Sequence, residues 1–219
     1  MAAAPVIAGC ASRETEENGV TTTPSLRSPI DFPEPTESSV PLEATLARRR
    51  SVRELSSERL TRAETGQLLW ATQGVTADWG GRTAPSAGAL YPLELLAATP
   101  TQVLHYLPSE HQAEITMEGD LRPDLMAAAL DQAAVGQAPL VVAIAAVPAR
   151  TAARYGERAR RYVDLEAGHA AQNLLLQAVA LDLAAVPIGA FDDAAVSRAL
   201  ALPQDHEPLY LIPVGHPQP

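Results

Sequence analysis

The 219-residue chain contains no lysine: all 16 of its Lys+Arg residues are arginine, set against 26 Asp+Glu for a net charge of −10. Without a lysine amine there is no Schiff-base chemistry and no phosphate-binding loop of the Walker type. The surplus of acid argues against a general nucleic-acid binder, which needs a basic face to displace counterions. Cysteine is nearly absent too. Cys10 stands alone, so neither an internal disulfide nor a cysteine zinc site can form. Aromatics make up only 4% of residues, with alanine filling much of the apolar share. Long hydrophobic runs are missing. The best one, Ala138 to Val147, is about half the length of a membrane span and has Pro139 and Pro148 at its ends.

What is present describes one domain and a tail. Residues 1–41 read as a flexible tail, because 11–41 are dense in Ser, Thr, Pro and Glu and lack an apolar period. Its start, Ile7-Ala8-Gly9-Cys10, fits a bacterial lipobox without a preceding positive region. The expectation is a frayed alanine-rich terminus on a cytoplasmic protein, with a lipoprotein tethered through Cys10 as the alternative. Residues 42–219 read as a folded α+β domain. Leu42 to Arg50 predicts a short helix, and Thr61-Arg62-Ala63-Glu64 is a capping box opening a helix that stops at Gly74. Leu93 to Ala98 and Val103 to Leu107 predict a hairpin. Arg122 to Ala134 predicts a helix, and Pro139 to Val147 a central strand buried on both faces. Arg158 to Leu183 is the longest helix, apolar almost all round in its middle, as for a core or subunit interface. Short strands at Ala184 to Ile188 and Leu209 to Val214 flank a helix near Asp193 to Leu200.

Three clusters have chemistry to offer, each beside a plainer reading. Arg48-Arg49-Arg50-Ser51-Val52-Arg53 groups four guanidiniums and a hydroxyl, enough for one phosphate; the plain alternative is a solvated helix C-terminus. Pro85-Ser86-Ala87-Gly88-Ala89-Leu90-Tyr91-Pro92 is a rigid small-residue loop that a planar ligand could approach, or simply a turn. In Pro187-Ile188-Gly189-Ala190 a strand ends in a glycine turn before a capped helix, leaving N–H groups free. The Glu166-Ala167-Gly168-His169 spacing matches a di-iron bundle ligand pair, but no second copy exists, so no metal is expected. His169 reads as a core or interface histidine, and His105 and His111 as solvated near a turn. Asn173, in an apolar stretch, needs a partner, and a bound ligand is one candidate.

In this order the clusters, with Tyr155-Gly156-Glu157-Arg158 and Glu166 to Asn173 between them, resemble the FMN-dependent nitroreductase family over residues 42–216. The SagB/ThcOx-type dehydrogenases are the nearest subgroup. The resemblance implies an α+β nitroreductase-like fold, a central mostly antiparallel sheet flanked by helices, in an intertwined homodimer. It implies FMN as cofactor, its phosphate held by Arg49, Arg50, Ser51 and Arg53. Pro85, Ser86, Ala87, Gly88 and Leu90 would lie against the ring across the dimer interface. Pro187, Ile188, Gly189 and Ala190 would set N–H groups near flavin N5, Asn173 would be a further contact, and Arg82 or Arg160 would favour the reduced ring.

The activity implied is hydride transfer through flavin N5 from NAD(P)H to a small organic acceptor. Two other functions fit the same blocks: oxidation of azoline heterocycles in modified peptides, and flavin binding by a partner protein without turnover. Azoline-oxidising members carry a Lys-Tyr pair where this chain has Arg154-Tyr155. A permanently protonated guanidinium cannot be a general base, which leaves Tyr155 as the candidate catalytic proton donor. Asp182 stands where the family has glycine, and the chain ends His216-Pro217-Gln218-Pro219 without the basic residue many relatives set on the phosphate.

Overall fold

In the computed structural model, which describes residues 28–218, a seven-stranded sheet runs in the order β1-β4-β3-β2-β5-β7-β6 with every neighbouring pair antiparallel. The strands are β1 (Ile30–Asp31), β2 (Leu93–Ala98), β3 (Gln102–Leu107), β4 (Gln112–Glu118), β5 (Leu140–Ala146), β6 (Ala184–Ala185) and β7 (Glu207–Gly215). The helices are α1 (Leu42–Arg48), α2 (Arg62–Gln73), α3 (Arg122–Ala128), α4 (Ala133–Gln137), α5 (Pro148–Tyr155), α6 (Ala159–Ala180) and α7 (Asp193–Ala199). Residues 1–27, Cys10 among them, lie outside the described part. Among the described residues no helix is long and apolar enough to cross a membrane.

The alternation of each strand divides the core into two layers. Leu93, Leu95, Val142, Ile144, Ile212 and Val214 point to one face, where α2 and α6 cover them with Leu68, Leu69, Val163, Ala167, Ala170 and Leu174. Leu96, Val103, Val141, Ala143 and Leu211 point to the other, under Leu125, Val135, Val196 and Leu200 of α3, α4 and the α7 end. β5 is therefore buried at every residue, and its unbroken apolar run is the sequence signature of that position. The alanines of α6 that face the sheet let the helix axis come close, which is where the scarcity of aromatics is put to use. At the start of α2, Thr61 accepts from the Glu64 N–H at 3.1 Å while Glu64 accepts from the Thr61 N–H at 2.7 Å, the reciprocal cap expected.

Three expectations need correction. The flexible tail does not extend to residue 41. Ile30–Asp31 pairs with β4, Phe32 is buried against Tyr106 and His111, and Thr36 exchanges two hydrogen bonds with Gln67. Gly66 makes room for this strap, since a Cβ there would lie 2.7 Å from Phe32. The helix expected over Arg122 to Ala134 is broken in two at Leu130 and Asp131, both at φ +57°. His105 and His111 are not merely solvated: His105 Nε2 sits 2.7 Å from Glu94, and His111 bonds the Tyr106 hydroxyl and the Pro33 carbonyl.

Candidate functional site

The arginine-serine block leaves α1 and runs beside β6. Ser51 forms a parallel bridge with Ala185, and the Val52 N–H donates to the Ala185 carbonyl at 3.1 Å. A cavity of about 300 Å³ opens there, lined by Arg48, Arg50, Val52, Val179, Asp182 and Ala185 among others. Arg48 is paired with Asp182 at 2.8 Å, so one charge of the block is already answered within the chain. Arg50 donates to the Ala47 and Arg49 carbonyls and caps its own helix. Arg49 and Arg53 have no carboxylate partner among the described residues.

The strand that receives Ser51 continues into the turn. Ile188 is buried and exchanges two backbone hydrogen bonds with Leu211, at 2.8 and 3.0 Å. Gly189 and Ala190 then emerge to the surface, and among the described residues their N–H groups have no acceptor. The turn is fixed from behind, because Gln132 donates to the Ala190 carbonyl at 3.0 Å and the Asp192 N–H donates to Ala128. Asp192 in turn caps α7 through the Ala195 N–H. From Ala185 to Gly189 the chain spans at most about 14 Å, so the block and the turn share one wall.

The loop from Pro85 to Pro92 lies elsewhere, against the N-terminal half of α6. Three of its residues have positive φ, Gly88 at +65°, Ala89 at +51° and Tyr91 at +45°, with Leu90 between them at −90°. Ser86 holds them: its hydroxyl accepts from the Tyr91 N–H at 2.9 Å and donates to Glu166. Below the loop, Arg82 stacks 4.5 Å from the Tyr91 ring centre and donates to Gln73, and Gln73 donates to Glu166 at 3.5 Å. Glu166 is only 2% exposed. Burial pushes its carboxyl up to about 7, against the hydrogen bonds from Ser86 and Gln73 and the charge of Arg82. Burial likewise holds the Arg82 guanidinium below its ordinary value. Arg150 ties the far end of the loop, reaching the Tyr91 carbonyl at 3.2 Å and Glu94 at 2.5 Å. Burial works to raise Glu94, but hydrogen bonds from His105 and Arg150 outweigh it and leave the carboxyl below the usual range.

Tyr155 joins this loop rather than the arginine block. A Cβ on Gly88 would lie 2.9 Å from the Tyr155 hydroxyl and 3.0 Å from Arg154, so only glycine fits. Asn173 finds its partner within the chain, donating to the Thr83 carbonyl at 3.2 Å at the entrance of the loop. Arg160 is engaged by Asp164 and Glu207 and does not reach the loop, whereas Arg82 does. His169 is exposed, and among the described residues no cluster of His, Cys, Asp or Glu could hold a metal. Gln73 and Arg150 carry no signal in the sequence, because each acts through a partner far along the chain.

An antiparallel sheet flanked by helices thus carries an arginine-serine segment beside a free-amide turn, with a separate small-residue loop. The chain belongs to the nitroreductase family, whose profile matches residues 46–216. It is 41% identical over 182 residues to a protein of Methanocaldococcus jannaschii assigned as a nitroreductase, covering 80% of this chain and 91% of that one. A crystal structure assigned as a nitroreductase from Ralstonia eutropha superposes with a TM-score of 0.79 at 29% identity, over 87% of this chain and 90% of that one. The fold is also that of the NADPH:FMN oxidoreductase of Vibrio harveyi, with a TM-score of 0.61 at 22% identity over 81% of this chain and 69% of that one.

Proposed function

We propose that the protein is an FMN-dependent oxidoreductase, working as a homodimer and passing hydride from NAD(P)H to a small organic acceptor. The observation that carries this reading is the Ser51–Ala185 bridge, which aligns the arginine-serine block with the strand leading to Gly189 and Ala190. One end of that wall has guanidiniums and a hydroxyl for a phosphate, from Arg49, Arg50, Ser51 and Arg53. The other end has unpaired N–H groups, held by the Ile188–Leu211 ladder, for an electron-rich ring nitrogen.

When bound, FMN supplies the two-electron chemistry. The chain's part is to orient the ring and to meet developing negative charge with donors already in place, at no reorganisation cost. Gly189 and Ala190 are such donors, and Pro187 before them stiffens the approach. Pro85, Ser86, Ala87, Gly88 and Leu90 form the flat surface suited to a ring face. In one chain this loop and the arginine block meet α6 at well-separated levels, which favours a loop supplied by a second copy. Glu166 holds the loop and Val179 lines the block's cavity, 13 residues or about 20 Å apart along α6. A second copy supplies the missing loop, and the exposed Leu42, Leu46, Leu165 and Trp79 offer apolar surface for it.

The SagB/ThcOx subgroup rests on the sequence blocks alone. Its azoline chemistry is not supported, because Arg154 cannot take up a proton; Tyr155 stays as the proton donor. The test is FMN retention. The wild type is expected to show a bound-flavin spectrum that NADPH bleaches. The double variant Arg50→Ala/Arg53→Ala should bind FMN at least about a hundredfold more weakly, the loss of two charge-assisted contacts. Unchanged FMN content in that variant refutes the phosphate assignment.

A further inference from the structure

On a chain of net charge −10, residues 148–162 carry five arginines and a single acid, Glu157. Two of the five are spoken for: Arg150 by Glu94 and the Tyr91 carbonyl, Arg160 by Asp164 and Glu207. Arg154, Arg158 and Arg161 have no carboxylate partner among the described residues. Helix-end cations of the ordinary kind would be solvated and unstacked. Arg154 and Arg158 are instead laid on rings. The Arg154 guanidinium carbon is 5.5 Å from the Tyr155 ring centre, Tyr155 meets Tyr162 edge-on at 4.9 Å, and Arg158 lies 5.6 Å from the Tyr162 ring centre and donates to its hydroxyl at 3.2 Å. Stacking restrains each guanidinium while leaving N–H edges open to a ligand. The two rings are half-buried and the two charges exposed, so the ladder is a fixed platform with charged tips. Its Arg154 end touches Gly88, in the loop assigned above to the ring face.

We propose that the Arg154–Tyr155–Tyr162–Arg158 ladder is an anion subsite that receives the carboxylate or phosphate of the molecule exchanging hydride at this site. The inference rests on the flavin reading for its purpose, but not for its measurement. A permanent positive charge where a lysine base would stand is suited to attraction and not to proton transfer. On a chain of net charge −10, a local cationic cluster of this kind also favours anionic ligands over neutral ones.

Equilibrium binding to the oxidised, FMN-supplemented full chain tests it without requiring turnover. One arm compares 4-nitrobenzoate with 4-nitrobenzamide, an acceptor with and without the charge. The other compares NAD+ with nicotinamide riboside, which lacks the diphosphate. Isothermal titration calorimetry at low salt is expected to show the anion-bearing member of at least one pair binding about tenfold tighter. That advantage should vanish in Arg154→Gln/Arg158→Gln and shrink as salt is raised, while affinity for the member without the anion is kept. A shift in the first arm makes the anion an acceptor's carboxylate; a shift in the second makes it the reductant's phosphate. Equal affinities within both pairs, or an advantage that survives the double substitution, overturn the proposal. If the anion binds with the expected preference but no reduction of any acceptor follows, the subsite stands and the oxidoreductase reading falls.

Discussion

Glu166 is the residue whose chemistry is most at odds with its surroundings. It is a carboxyl enclosed by α6, α2 and the Ser86 loop, and burial raises it to about 7. The folded state therefore takes up a proton that the unfolded chain, near 4.5, has already released. Stability from this group is full at low pH and is lost as pH rises toward and through about 7. Replacing the charge with an isosteric amide removes the penalty, so Glu166→Gln should be more stable than wild type by about 1–3 kcal/mol at pH 8. The gain should be small at pH 5, and thermal melts at the two pH values check it; an equal difference at both would mean that protonation of Glu166 is not involved. The sequence offered Glu166 only as half of a Glu-x-x-His pair. Its partners Gln73 and Arg82 are 93 and 84 positions away, and no local spacing connects them. The arginine-serine block and the glycine turn were legible because their chemistry is contiguous, whereas Asn173 looked like a ligand contact until Thr83 came to it across the fold.

Among the elements, α6 and β5 carry the core, and both were readable: one as a long helix apolar almost all round, the other as a run with no polar residue. Leu174, fully buried in α6 against the sheet, is the place to measure that dependence. Leu174→Ala should lower stability by about 2–5 kcal/mol in urea denaturation, with an unchanged slope. A loss below about 1 kcal/mol would mean the helix can settle into the space. Three elements escaped the sequence reading, for different reasons. β4 alternates Ala113, Ile115 and Met117 with polar residues, a period-two signal that was there to be seen. β1 has two residues and one neighbouring phenylalanine, too little for any period. α5 begins at Pro148 and has only eight residues, three of them alanine and two arginine, too short a run for a period to separate helix from loop. The break between α3 and α4 requires Leu130 and Asp131 at positive φ, a conformation neither side chain advertises.

At the scale of the molecule, about 20 Å of α6 separates Glu166, which holds the loop, from Val179, which lines the arginine block's cavity, and the proposed ring site draws on both. Light scattering should give a mass near twice 23.1 kDa. Leu165, exposed on α6, is expected to lie under the partner. Leu165→Asp should therefore yield monomer and lose FMN together; a monomer that keeps its flavin would show that one chain suffices. The fold class followed from the order of elements, whereas the proposed division of the site between two copies came from the family resemblance and from no spacing or period in the sequence.

The strand order has a consequence for orientation. Chain preceding Ser28 enters the domain at β1, one margin of the sheet, while Ser51 and Ala185 meet at β6, the other margin. Six strand spacings separate them, about 29 Å. A probe placed at Ser28 would therefore sit at the sheet margin opposite the arginine wall, reporting on the domain without crowding that site.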